Sequence, residues 1–394
     1  MKQKILLATT LNWPSTARLA GAFAVLGAVV EAVALRSHVL HASRYPKHVH
    51  RYSPVAPHAS FMRAILAAEP TRVIPCDDRA LAILLALPRF ELLLRNSLGP
   101  LESYAVLSAR QASIAAARQE AIAAPLTLRV ADLLHLPEAI GRVGLPCVLK
   151  SDASWGGDGV KLVATLAQAE EAFVRLQGPP QRLRSVARAV LRKDLHFLVE
   201  ALKPRAAFVN VQALVPGRPA TSVFAARDGR VLASLHMDVL DTDGATGPAR
   251  RMRHIEDASM EDAARKLAAR FRLNGLIGLD FVRNEKGVPH LVEINPRAAQ
   301  ICHLALGPDL PAALIGAEPR PAVTELKEIA LFPQLIADAR PGAAVYEDIP
   351  WDDPGLLRAV AGPALPEAEP LDDIREFSSP AGAPPIYRRA VSGR

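Results

Sequence analysis

Three cysteines in 394 residues, Cys76, Cys147 and Cys302, lie far apart, show no C-x-x-C spacing and cannot all pair. A disulfide framework is therefore not expected, and a reducing, cytoplasmic compartment is. Aromatic residues make up only 5% of the chain, and few accompany its basic clusters. With no helix-turn-helix or RNA-recognition signature either, nucleic acid is not an expected partner. Long apolar runs are missing. The longest, residues 19–30, is closed by Glu31 and is too short to span a bilayer, so no membrane partner is expected. Residues 1–11 have the outline of a signal peptide, but Asn12-Trp13-Pro14 breaks the apolar stretch early, and secretion is not expected. No G-x-G-x-x-G follows the first apolar strand, so the chain lacks the dinucleotide fingerprint. There is no internal repeat of fixed period.

What is present is a globular balance. Half the residues are hydrophobic and 22% are charged, in a chain long enough for two or three domains. The net charge of +7 comes mostly from arginine, much of it within residues 181–194 and 250–253. An anionic small substrate or an acidic partner suits that charge.

The first hundred residues alternate strand and helix signals, which predicts a parallel sheet with covering helices. Strands are expected over 4–9, 30–35 and 72–75, and helices over 15–26, 60–68 and 79–87, with Pro14 opening the first helix and Gly27 stopping it. A long Ala-rich helix is expected over 103–124. Further strands are expected over 147–150, 209–214, 222–226, 230–236 and 327–331, and helices over 168–177 and 260–271. Residues 276–283 and 288–294 read as a hairpin turning at Glu285-Lys286. From residue 361 the composition is rich in Pro, Ala and Glu, and 378–394 reads as poorly ordered.

Two motifs carry chemistry. In the hairpin, Asp280 is expected opposite Leu291. Alternation then puts Asp280, Glu293 and Asn295 on one face. Two carboxylates and an amide oxygen form a hard-oxygen set of the kind Mg²⁺ prefers, whereas an unpaired charge inside Leu-Val-Glu-Ile-Asn-Pro would be costly. The competing reading is a solvated edge hairpin. The second motif is Lys150 at a strand end, followed by Ser154, Gly156, Gly157 and Gly159. These glycines permit a tight loop whose N–H groups approach an anion, with the lysine as a point charge. Hairpins use the same residues. The motif is not a P-loop, because no Gly-Lys-Ser/Thr follows.

In this order, about 130 residues apart, the two motifs resemble the ATP-grasp superfamily, which includes D-alanine–D-alanine ligases, biotin carboxylases and many amino-acid ligases. The resemblance runs from about residue 103 to 307. It implies an α/β chain in three parts: a Rossmann-like domain over 1–102, a two-lobed ATP-grasp domain over 103–310 (lid about 125–211, catalytic lobe about 212–310), and a C-terminal extension over 311–394. It also implies ATP and Mg²⁺ as cofactors, with two ions and with Mn²⁺ as an alternative. Lys150, Ser154, Gly156, Gly157 and Gly159 would hold the phosphates. Asp280, Glu293 and Asn295 would be metal ligands, and Gln212, Ala213, Leu214 and Val215 would line the adenine. Arg110 is the nearest match to the family's other phosphate lysine.

Departures from the pattern matter. Arg218-Pro219 stands where an acid normally holds the ribose. Gly278 replaces the arginine of D-alanine ligases, which argues against that identity, while Arg297 matches an active-site arginine of the biotin carboxylases. The implied activity is ligation of a carboxylate to an amine through an acyl-phosphate, with Arg297, Arg250 and Arg251 as catalytic candidates. Alternatives are a different acceptor (carboxylation or phosphorylation) and ATP binding without turnover. His236 and Arg253 flank the same loop as Arg250 and Arg251, and are further candidates for reaching the triphosphate. Asp77-Asp78, after a strand, could hold a substrate amine or cap a helix. His38, His41, His48 and His50 read as a loop rather than a zinc site. The basic stretch 181–194 reads as a solvated helix, with docking of an acidic carrier protein as the alternative.

Overall fold

The structure, a computed structural model, describes residues 2–152, 159–177, 208–244, 247–337 and 344–362. The alternating N-terminal signals produce β1 (Lys4–Ala8), α1 (Pro14–Val25), β2 (Val29–Ala34), β3 (His48–Arg51), α2 (Pro57–Ala68), β4 (Arg72–Pro75) and α3 (Asp78–Leu85). The four strands form a parallel sheet in the order β3-β2-β1-β4. Residues 5–8 of β1 are buried, as expected of a parallel strand covered on both faces. Pro14 opens α1 where its missing N–H costs nothing, and Gly27, at φ 82°, takes the chain out of it.

Two expectations fail here. His48 and His50 lie on edge strand β3 rather than in a loop. His50 pairs with Glu31 at 2.7 Å, and buried His38 accepts from the Leu40 N–H to cap a short 3-10 turn. The helix expected over 103–124 is also broken. After α4 (Glu91–Leu98) come α5 (Tyr104–Leu107) and then α6 (Arg110–Gln119), with Ala109 extended between the last two. Tertiary anchors override helix propensity: Tyr104 Oη donates to Leu98 O, and Ser103 Oγ to Phe271 O.

The next lobe consists of β5 (Thr127–Val130), α7 (Leu136–Val143), β6 (Cys147–Ser151), β7 (Val160–Val163), α8 (Leu166–Gln177) and β8 (Val209–Ala213). Its antiparallel sheet, ordered β5-β8-β6-β7, has a core of its own in which Leu149 and Val211 meet Ile140 and Phe173. The basic stretch 181–194, Ser154, Gly156 and Gly157 of the glycine-rich turn, and the tail 378–394 all lie outside the described residues.

The remaining elements are β9 (Arg218–Arg227), β10 (Arg230–Thr242), β11 (Ala249–Ile255), α9 (Ala258–Phe271), β12 (Gly275–Arg283), β13 (Pro289–Asn295), α10 (Leu310–Ile315), β14 (Glu328–Ala330), β15 (Val345–Glu347) and α11 (Pro354–Ala361). The strands form one seven-stranded sheet, ordered β13-β12-β9-β10-β11-β14-β15. The sheet thus runs on past residue 310. One face packs under α9, with Phe224, Leu279 and Phe281 in a core shared with Phe61 and Leu84 of the N-terminal domain. The other face shares a second core with α1 and α10. Among the described residues no helix is long and apolar enough to cross a membrane.

Candidate active site

The site begins with a register detail. Strands β12 and β13 turn around Lys286, where Asn284 Oδ1 accepts the N–H groups of Lys286 and Val288. Phe281 pairs with Leu291, but the next pair is Asp280 with Glu293, which leaves Val292 as a bulge. Asp280 therefore faces Glu293 rather than the expected Leu291. The bulge absorbs one residue, so Asp280, Glu293 and Asn295 still share a face. Asn295 Nδ2 donates to Asp280 Oδ2 at 2.8 Å, and Thr221 Oγ1, from neighbouring β9, donates to Asp280 Oδ1 at 3.1 Å.

The bulge also ties the lobes together. The Val292 carbonyl accepts from Lys150 Nζ at 3.4 Å and from Gln212 Nε2 at 3.3 Å, both from the smaller lobe. Arg110, in the first turn of α6, meets Glu293 Oε1 at 2.6 Å and donates from Nε to Ser151 O. The break before α6 is what aims this arginine. Asn210, buried on β8, donates to Asp152 Oδ1 at 2.6 Å and fixes the chain just after Lys150. Gly159 accepts from the Ser151 N–H where β7 begins.

Charges here are unequal in environment. Burial, then repulsion from Glu293, raises the Asp280 carboxyl above its ordinary range. Burial pushes Glu293 the same way, but Arg110 and Lys150 outweigh it and hold that carboxyl low. Burial depresses Lys150, with Glu293 opposing. Two half-buried carboxylates that repel each other beside an amide oxygen form a donor set suited to a hard divalent cation. Among the described residues no group of three His, Cys, Asp or Glu converges to hold a metal, so this set rests on two carboxylates and an amide.

Arg297 follows on the same strand end. Its guanidinium donates to Asn295 Oδ1 at 3.1 Å and to Asp78 Oδ1 at 3.0 Å. Burial works against its charge, but Asp78, Asp77 and Asp280 outweigh burial and raise its pKa. Asp78 thereby joins the N-terminal domain to the triad. Its neighbour Asp77 is fully engaged as a cap, accepting from Ala80 N, Thr9 Oγ1 and both N and Oγ1 of Thr10.

Arg250 alternates with Met252, which packs with Ile329 on the face of Asp280, so β11 carries Arg250 on that face. Arg251 and Arg253 are placed elsewhere. Both turn to Glu328 on the opposite face, at 3.8 and 2.7 Å, which takes Arg251 off the face that carries Asp280. His236 is on that far face too, between Ser222 Oγ and Glu261 of α9.

Ala213 closes β8, and Leu214 and Val215 lead into Gly217, where a Cβ would lie 2.0 Å from Arg283 O. Only glycine lets this connection cross the hairpin. Thr221, Asn210 and the Val292 carbonyl had no local signal in the sequence, because each acts through a strand register set by distant residues.

Residues 194–300 match the ATP-grasp domain family profile. No curated protein sequence matches the chain. Among solved structures it is similar to a carboxyaminoimidazole ribonucleotide synthase from Aspergillus clavatus, with TM-score 0.59 and 16% identity over 82% of this chain and 78% of that one. A biotin carboxylase from Campylobacter jejuni gives TM-score 0.58 and 13% identity over 82% and 72%. An L-amino acid ligase from Bacillus licheniformis gives 0.54 and 13% over 81% and 75%. The matched segment contains the whole Asp280, Glu293 and Asn295 set, and the chain has the ATP-grasp fold.

Proposed function

We propose that the chain is an ATP-dependent ligase that activates a substrate carboxylate for attack by an amine. The observation that carries this is the convergence of Asp280, Glu293 and Asn295 on one sheet face with Arg110 facing them from α6 and Lys150 from the smaller lobe. Bound Mg²⁺, as one or two ions and with Mn²⁺ as a substitute, would neutralise charge between the carboxylates and phosphate oxygens. Lys150, Arg110 and the glycine-rich turn hold the triphosphate, and residues 212–215 border the base. The substrate carboxylate attacks the γ-phosphorus and ADP leaves. The amine then attacks the acyl carbon of the acyl-phosphate, and inorganic phosphate leaves. No nucleophilic side chain takes part; the protein supplies position and charge. The solved relatives include a carboxylase and an amino acid ligase, so the acceptor is the open variable. A screen of amino acids and carboxylates for ADP release tests the reading. With ¹⁸O in the substrate carboxylate, label appears in the released phosphate if ligation runs through an acyl-phosphate. Label confined to the organic product rejects that route.

Two variants test individual roles. Lys150→Ala loses a charge-assisted contact worth about 1.5–3 kcal/mol, so ATP affinity falls roughly ten- to hundredfold. Unchanged affinity by calorimetry puts Lys150 outside the site. Arg297→Lys keeps the charge and loses the planar fork that would clamp a carboxylate. ATP binding is retained and turnover drops. If Arg297 only staples Asp78 to the strand end, turnover stays and the melting temperature falls instead.

A further inference from the structure

A cavity of about 520 Å³ opens at the opposite edge of the N-terminal sheet from β4, whose end leads to Asp78. With strands about 4.8 Å apart, three spacings put it roughly 14 Å from that end. It is lined by His50 and Arg51 of edge strand β3, by Ser53 after it, and by Ser60, Arg63 and two alanines of α2. The end of a parallel strand and the start of the helix that follows form the usual ligand-binding side of such a sheet.

The charge here is one-sided. Arg51 and Arg63 are exposed, and among the described residues neither forms an ion pair. The acid in contact with the lining, Glu31, is already engaged by His50 at 2.7 Å. No side chain caps the N-terminus of α2 and no acid stands in its first turn, so its free N–H groups add positive potential. The floor is preorganised. Ser60 Oγ donates to Ala56 O and accepts from the Ser53 N–H, which fixes the loop between strand and helix.

Two guanidiniums with no carboxylate partner, beside an uncapped helix start and a cavity of small-molecule size, describe a receptor for a compact dianion. We propose that this cavity binds the phosphate group of a small phosphorylated molecule, with Arg51 and Arg63 as its clamps. The site is separate from the metal triad and stands whether or not the chain is a ligase.

Calorimetry with inorganic phosphate tests the assignment, with citrate as a carboxylate comparison. The Lys150→Ala protein still binds phosphate, which separates this site from the nucleotide's. The double variant Arg51→Gln/Arg63→Gln binds it at least about tenfold more weakly, the loss of one charge-assisted contact or more. Its melting temperature is unchanged, because both side chains are exposed. The single variants, each weakened severalfold, serve if the double variant folds poorly. Wild-type affinity for phosphate in the arginine variants overturns the proposal. So does loss of binding in Lys150→Ala, an absence of binding at millimolar phosphate, or a clear preference for citrate.

Discussion

Asp280→Asn and Glu293→Gln each abolish Mg²⁺-dependent ADP release while the chain stays folded. Each substitution keeps the shape and removes one unit of negative charge from a donor set that has only two. A catalytic cation is worth several kcal/mol of charge stabilisation, so turnover falls about a thousandfold or more. The two variants differ in stability without metal. Asp280 is buried against Glu293, which raises its pKa, so neutralising it relieves repulsion and leaves the melting temperature level or higher. Glu293 is held low by Arg110 and Lys150, so neutralising it strands both cations and lowers the melting temperature. Near wild-type ADP release from both variants, on a substrate pair found in the screen, would remove the metal assignment. Equal and large stability losses in both would remove the electrostatic account.

Asp348→Ala destabilises the fold by about 3–5 kcal/mol, the cost of removing one partner of a buried ion pair, because Arg18 keeps only its longer contact to exposed Asp352 at 3.5 Å. Asp348 is fully buried between Arg18 of α1, at 2.6 Å, and His303 Nε2, at 2.9 Å. The first partner belongs to the N-terminal domain, the second follows β13, and the acid follows β15. One carboxylate therefore pins three segments distant in sequence. Burial pushes its pKa up, but His303 and Arg18 outweigh burial and hold it below the ordinary value. A carboxyl depressed in the folded state gives stability that is present above the unfolded pKa, about 3.9, and is lost as pH falls through the folded value. The variant accordingly shows a lower urea midpoint at neutral pH, and its deficit narrows in acid below about pH 4. A midpoint within experimental scatter of wild type at neutral pH rejects the pinning role.

Much of the fold is legible in the sequence because it follows from local periodicity. The strand at residues 72–75 coincides with β4, that at 4–9 overruns β1 by one residue, and that at 30–35 is shifted by one residue from β2. The chemical set Asp280, Glu293 and Asn295 is legible too, since alternation within a strand needs no knowledge of partners. Tertiary registers are not. The bulge at Val292, which puts Asp280 opposite Glu293 and turns a carbonyl toward Lys150 and Gln212, depends on how β13 seats against the other lobe. The sequence reading stopped the catalytic lobe at 310, yet β14 and β15 complete the sheet. The strand expected over 327–331 contains β14, but nothing local ties it to the sheet, and the three residues of β15 carry too little pattern to be read alone. Arg251 looked equivalent to Arg250 as one of two adjacent arginines, and only the sheet, with Met252 inward and Glu328 outward, sends them to opposite faces. Asp78 and Arg297 are 219 residues apart, and no local pattern joins them. What the sequence determined by itself was which residues could form a phosphate and metal site. Only the tertiary structure decided which of them meet, because pairing across strands and domains is set by burial of the shared cores rather than by any short stretch of chain.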